Sequence, residues 1–100
     1  MICYNLTIKI IPQIEKEWVQ WLQQEHIPEV MATGLFTGYK FFKLLEQEED
    51  GITYVIQYFS SSFGEYQKYI SEFAPSLRER SFARWGDQFI AFRTVMEVVN

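Results

Sequence analysis

One hundred residues, 48% hydrophobic and 22% charged, suit one globular domain spanning residues 1–100 and exclude a disordered chain. A net charge of −4 has the wrong sign for a partner built on phosphate, so no nucleic acid is expected. Aromatic residues reach 18%, read either as a ring-rich core or as rings set at an interface or pocket.

The first strand is expected over Ile2 to Ile10. Ile2, Tyr4, Leu6, Ile8 and Ile10 alternate with Cys3, Asn5, Thr7 and Lys9, a clean period of two. Pro12 ends it, and from Gln13 the apolar spacing turns helical through Ile14, Trp18, Trp21 and Leu22. Pro28 lacks an amide hydrogen, so this helix should stop or bend near Ile27, with a short helical piece from Pro28 to Thr33. Gly34 follows as a left-handed cap. A second strand is read over Phe36 to Leu45, apolar on both faces, and a third over Ile52 to Phe59. Between them runs an acidic connection, Glu46 to Gly51, ending in the turn pair Asp50-Gly51.

Ser62 and Glu65 form a capping-box pair that opens the second helix. Its stripe runs from Phe63 to Leu77, but Phe82 and Trp85 fall off that phase, so a kink, or two consecutive helices, is read at Pro75. The last strand is read over Gln88 to Val99. The order βαββαβ defines a ferredoxin-like α+β fold, an antiparallel four-stranded sheet with both helices on one face. The second and fourth strands would then leave carbon on the uncovered face, and a homodimer packed face to face is the expected remedy.

Cys3 is the sole cysteine and, lying in a strand, is expected as a buried thiol. The first residues carry no basic stretch before an apolar core, and no apolar run nears the roughly 20 residues of a membrane span. No membrane partner and a cytoplasmic setting are therefore expected. Glu25, His26 and Glu29 straddle Pro28 at the wrong spacing for zinc. With no glycine-rich phosphate loop, Ser-His-Asp set or CxxC motif, no metal and no cofactor are expected.

Four residues remain as site candidates. His26, the sole histidine, is the candidate catalytic proton acceptor; the structural alternative is a favourable place at a helix C-terminus. Asn5, Gln57 and Arg93 are candidate substrate-binding groups for a small-molecule ligand; the alternative is hydrogen bonding across a dimer interface.

Two resemblances bear on these candidates. Trp21-Leu22-Gln23-Gln24-Glu25-His26-Ile27-Pro28 resembles the Trp…His-x-Pro segment of dimeric α/β-barrel proteins of the ethyl tert-butyl ether degradation and antibiotic-biosynthesis-monooxygenase types, with a Trp-to-His spacing one residue longer than in the former. In those families the motif ends the first helix and the histidine often lines a cleft. Across the whole chain, Glu25 to Phe36, Gln57-Tyr58-Phe59, Glu72-Phe73-Ala74-Pro75 and Ala91-Phe92-Arg93-Thr94 are similar to a family of short bacterial proteins classed as a domain of unknown function. The likeness implies a dimeric α/β barrel. The unknown-function family carries no activity over; analogy with the dimeric-barrel fold implies cofactor-free binding or conversion of a small aromatic metabolite in a cleft, with a haem-degrading variant as a further option. A non-catalytic dimerisation or regulatory module is the alternative, and whether the chain is an enzyme stays open.

Overall fold

Paired on both edges, Ile2–Ile10 (β1) is the spine of the fold: its even-numbered residues face the helices and its odd-numbered ones the other side. The computed structural model describes residues 1–47 and 49–100; Glu48, in the acidic connection, lies outside the described residues. Three further strands, β2 (Gly38–Lys43), β3 (Ile52–Ser60) and β4 (Phe89–Glu97), pair antiparallel in the order β2-β3-β1-β4. Asn5 stands opposite Gln57 on β3 and Thr94 on β4, which fixes the register across the sheet centre. β2 is shorter than its apolar run suggests. Phe36, read as strand, instead packs in the core ahead of it.

The sheet is open. The expectation of an α/β barrel is therefore corrected: β2 and β4 are opposite edges of four strands and do not pair with each other. Closure requires a shear and tilt that about eight strands supply, and four are too few to curl round a packed interior.

One helical run crosses the covered face where the sequence suggested a break. Its parts are a 3-10 turn (Pro12–Ile14), α1 (Glu15–Trp21), a π turn (Leu22–His26) and α2 (Ile27–Met31). Pro28 does not end it. Ahead of the proline the ladder has already widened, with the Ile27 amide donating to the Leu22 carbonyl, five residues back. A widened turn relieves the clash a proline ring makes with the carbonyl four residues before it. Gly34 then closes the run at φ +76°, a backbone angle that a side chain would strain.

The second crossover is α3 (Phe63–Glu72) and α4 (Ala74–Trp85), bent at Phe73 with Pro75 in the first turn of α4, where a missing amide hydrogen costs little. The Glu65 amide donates to Ser62 Oγ at 3.2 Å, while the Glu65 carboxylate accepts from Ser61 Oγ at 2.8 Å, so only half the capping box forms. Trp18, Leu22, Ile27 and Val30 from the first run meet Tyr4, Ile8, Ile56 and Tyr58 of the sheet, and Tyr69, Leu77 and Trp85 complete the core. Glu15 anchors the start of α1 by accepting from Tyr54 Oη at 2.7 Å and from Lys43 Nζ at 2.8 Å.

Candidate functional site

The two helical runs do not meet tightly over β4, and a cleft opens between them and the β1–β4 half of the sheet. Trp18, Trp21, Leu22 and His26 line it from the first run, Leu77, Arg78, Ser81 and Trp85 from α4, Tyr69 from α3, and Tyr4, Ala91 and Arg93 from the strands. Its free space is about 550 Å3 counting the open mouth, but its cavity volume is only about 60 Å3. It is a narrow slot, walled largely by rings.

The π turn shapes this wall. In an α-helix, residues five apart point about 140° from each other. Where the ladder closes over five residues instead, they come into line, and Trp21 and His26 stack with ring centroids 4.9 Å apart and planes 21° apart. Trp85 meets Trp21 edge-on at 5.8 Å. Burial pushes the His26 imidazole down to about 4, against a weaker upward pull from Glu29, so the ring is neutral at pH 7.

The polar groups of the slot are mostly donors. Arg78 Nη2 donates to Tyr4 Oη at 3.3 Å. Burial raises the Tyr69 phenol well above its ordinary range even though Arg78 and Arg93 both pull it down, so this hydroxyl stays protonated. Ser81 Oγ donates back to the Leu77 carbonyl at 3.2 Å. Trp85 is 2% exposed, and its indole N–H has no partner among the described residues.

The four residues singled out by sequence divide between the two sides of the sheet. His26 and Arg93 line the same slot. Asn5 and Gln57 lie on the uncovered face, where Gln57 Nε2 donates to Asn5 Oδ1 at 3.3 Å and Asn5 Nδ2 to Thr7 Oγ1 at 3.4 Å. With Lys40 and Thr94 they form a polar row across all four strands. Cys3, one row away between Phe59 and Met96, is buried, and its thiol is pushed up, which makes it a poor nucleophile. Sequence reasoning passed over Arg78 and Trp85. Leu77, Ser81 and Trp85 recur every four residues, and that spacing marks the new face α4 presents after the bend.

Among the described residues, no three His, Cys, Asp or Glu side chains gather as metal ligands, and no helix is long and apolar enough to cross a membrane.

These layers define a ferredoxin-like α+β protein with a ring-lined slot between sheet and helices. A family model described as "Domain of unknown function (DUF4286)" matches residues 1–99, and the chain belongs to that family. No curated protein matches it. Among solved structures, HapK from Hahella chejuensis superposes with a TM-score of 0.75 at 10% identity, over 99% of this chain and 93% of that one. A MhuD mutant, solved with two manganese protoporphyrin IX molecules per active site, gives 0.74 at 16% identity over 100% and 96%. A mutant of SnoaB, a cofactor-independent oxygenase from Streptomyces nogalater, gives 0.70 at 10% identity over 99% and 94%. At such identities the likeness is one of fold.

Proposed function

We propose that this chain is a small-molecule-binding protein that holds a flat aromatic metabolite, without a cofactor, in the slot beside His26 and Arg93. The observation that carries it is the slot itself, a ring-walled concavity with a few convergent polar groups. The fold also houses a cofactor-independent oxygenase and a tetrapyrrole-binding protein, which supports a ligand lying in this layer. A cavity volume of about 60 Å3 favours one or two rings, partly in the mouth, over a porphyrin. Neutral His26 is the proton acceptor of this reading, available to a substrate hydroxyl. We place the protein in the cytoplasm, where the free thiol of Cys3 stays reduced.

The test is a thermal-shift panel of one- and two-ring aromatic metabolites. A ligand at tenfold its Kd stabilises by about 1.4 kcal/mol, several degrees in Tm for a domain of this size. Ala91→Phe, on the edge strand, fills the slot and is expected to abolish the shift. A panel that leaves wild type unmoved, or shifts that survive in the variant, would overturn the reading.

The uncovered face is assigned to a second copy of the chain. Phe92 and Ile90 are 65% and 58% exposed there, with Met96 on the same strand and Phe42 exposed at the opposite edge. The row through Asn5, Gln57 and Thr94 both donates and accepts, so it can pair with itself across a two-fold axis. Three strands of nine residues and one of six, about 4.8 Å apart, cover about 520 Å2, or about 1,050 Å2 between two copies, close to the least that a specific interface needs. Light scattering after size exclusion should show a dimer, and Phe92→Glu a folded monomer. A wild-type monomer at micromolar concentration removes the pairing.

A further inference from the structure

We infer that the ligand of the slot is an aromatic anion, its carboxylate or phenolate oxygens taken by the Trp85 indole N–H and the guanidiniums of Arg93 and Arg78; this rests on the slot being the binding site proposed above. The chain carries 13 acidic residues and a net charge of −4, yet among the described residues no Asp, Glu, Asn or Gln lines the slot. Both full charges on its wall are guanidiniums, since burial keeps His26 neutral. Neither arginine is ion-paired among the described residues. Arg78 commits one donor to Tyr4 and keeps the rest of its five. Both arginines are exposed and stand at the mouth, whereas Trp85 is buried.

That inventory selects among ligand classes. A cation would meet two like charges. A neutral hydrocarbon would satisfy the rings but cover the guanidiniums, a poor exchange for groups that water or an anion would otherwise serve, and would leave the buried indole N–H still without an acceptor. A planar acid or phenolate answers both demands: its ring lies among Trp21, Trp85 and Tyr4, and its oxygens accept from the donors left over. Ser81 offers no competing donor, because its hydroxyl is committed to the Leu77 carbonyl.

The test is calorimetric titration of wild type, Arg93→Gln, Arg78→Gln and Trp85→Phe with 2-naphthoate and with 2-naphthamide, which share a ring system and differ in charge. Wild type should bind the carboxylate at least about tenfold more tightly than the amide, the value of one charge-assisted hydrogen bond. Arg93→Gln or Arg78→Gln should remove most of that preference, and Trp85→Phe, which keeps an aromatic ring and loses the N–H, should weaken the carboxylate about threefold or more. Should Trp85→Phe fail to fold, the arginine variants, at solvent-exposed positions, carry the test. Equal binding of both probes, or a preference untouched in both arginine variants, overturns the anion assignment and leaves the slot as a site for neutral rings. Binding of neither probe at millimolar concentration overturns the slot as a binding site, and the assignment with it.

Discussion

Replacing Trp18 with alanine should lower the unfolding free energy by about 3–5 kcal/mol, the loss usual for a large buried ring. Trp18 is 2% exposed, and its ring lies 5.3 Å from that of Tyr54 on β3 and 6.3 Å from that of Phe41 on β2. It is the point at which α1 is pressed onto the sheet, one turn before the π turn that sets Trp21 and His26. Neither side of the gap can collapse easily, since β3 is paired on both edges and α1 is held at its start by Glu15. Against a total of roughly 5–15 kcal/mol for such a domain, the variant should be marginal at 37 °C. Trp18→Phe keeps a ring and should cost less than half as much. Urea unfolding with an unchanged slope measures both. A loss under about 1 kcal/mol for the alanine would mean that the sheet and α1 are joined elsewhere.

What could be read from residues alone was the part governed by local rules. The alternation of β1, the Ser62 cap and the left-handed Gly34 each follow from a side chain's effect on its own backbone and are where they were expected, while the bend expected at Pro75 falls two residues earlier, at Phe73. The helix expected to stop or bend near Ile27 instead runs on through a π turn into α2, because the rule behind a full stop assumes an α ladder. The extra residue between Trp21 and His26 was the trace of a wider turn, since a turn closed over five residues absorbs one more than a turn closed over four. Barrel closure came in with the family likeness and not from the strands, of which there are too few. At the site, His26 and Arg93 could be singled out by residue type, but not that they line one slot. It depends on the β1–β4 register, which sets Arg93 opposite Leu6 on the helix side and Asn5 opposite Thr94 on the other. A shift of one residue would have exchanged those sides.

The neutral state of His26 should make stability depend on pH within a defined window. The free imidazole titrates near 6.5; in the fold, burial among Trp21 and the rings of the slot holds it down to about 4. The charged groups around it are Glu29, which raises it, and Arg78 and Arg93 on the opposite walls of the slot. Between these two values the unfolded chain binds a proton that the folded one refuses. Stability is therefore fully present above pH 6.5 and is lost as pH falls toward 4, by about 2 kcal/mol between pH 6.5 and 4.5. The Glu15 carboxyl, held below its ordinary range by Lys43 and Tyr54, acts in the same direction but only below about 4.5, outside this window. His26→Phe keeps a ring against Trp21 and removes the titration, so its stability should be nearly flat from pH 6.5 to 4.5 while wild type declines. Parallel curves for the two proteins would mean that the imidazole takes its proton without strain, and that the slot is wetter at His26 than its packing implies. A curve that flattens only in the variant would establish that the ring is kept neutral by the fold, the state in which it can accept a proton from a bound hydroxyl.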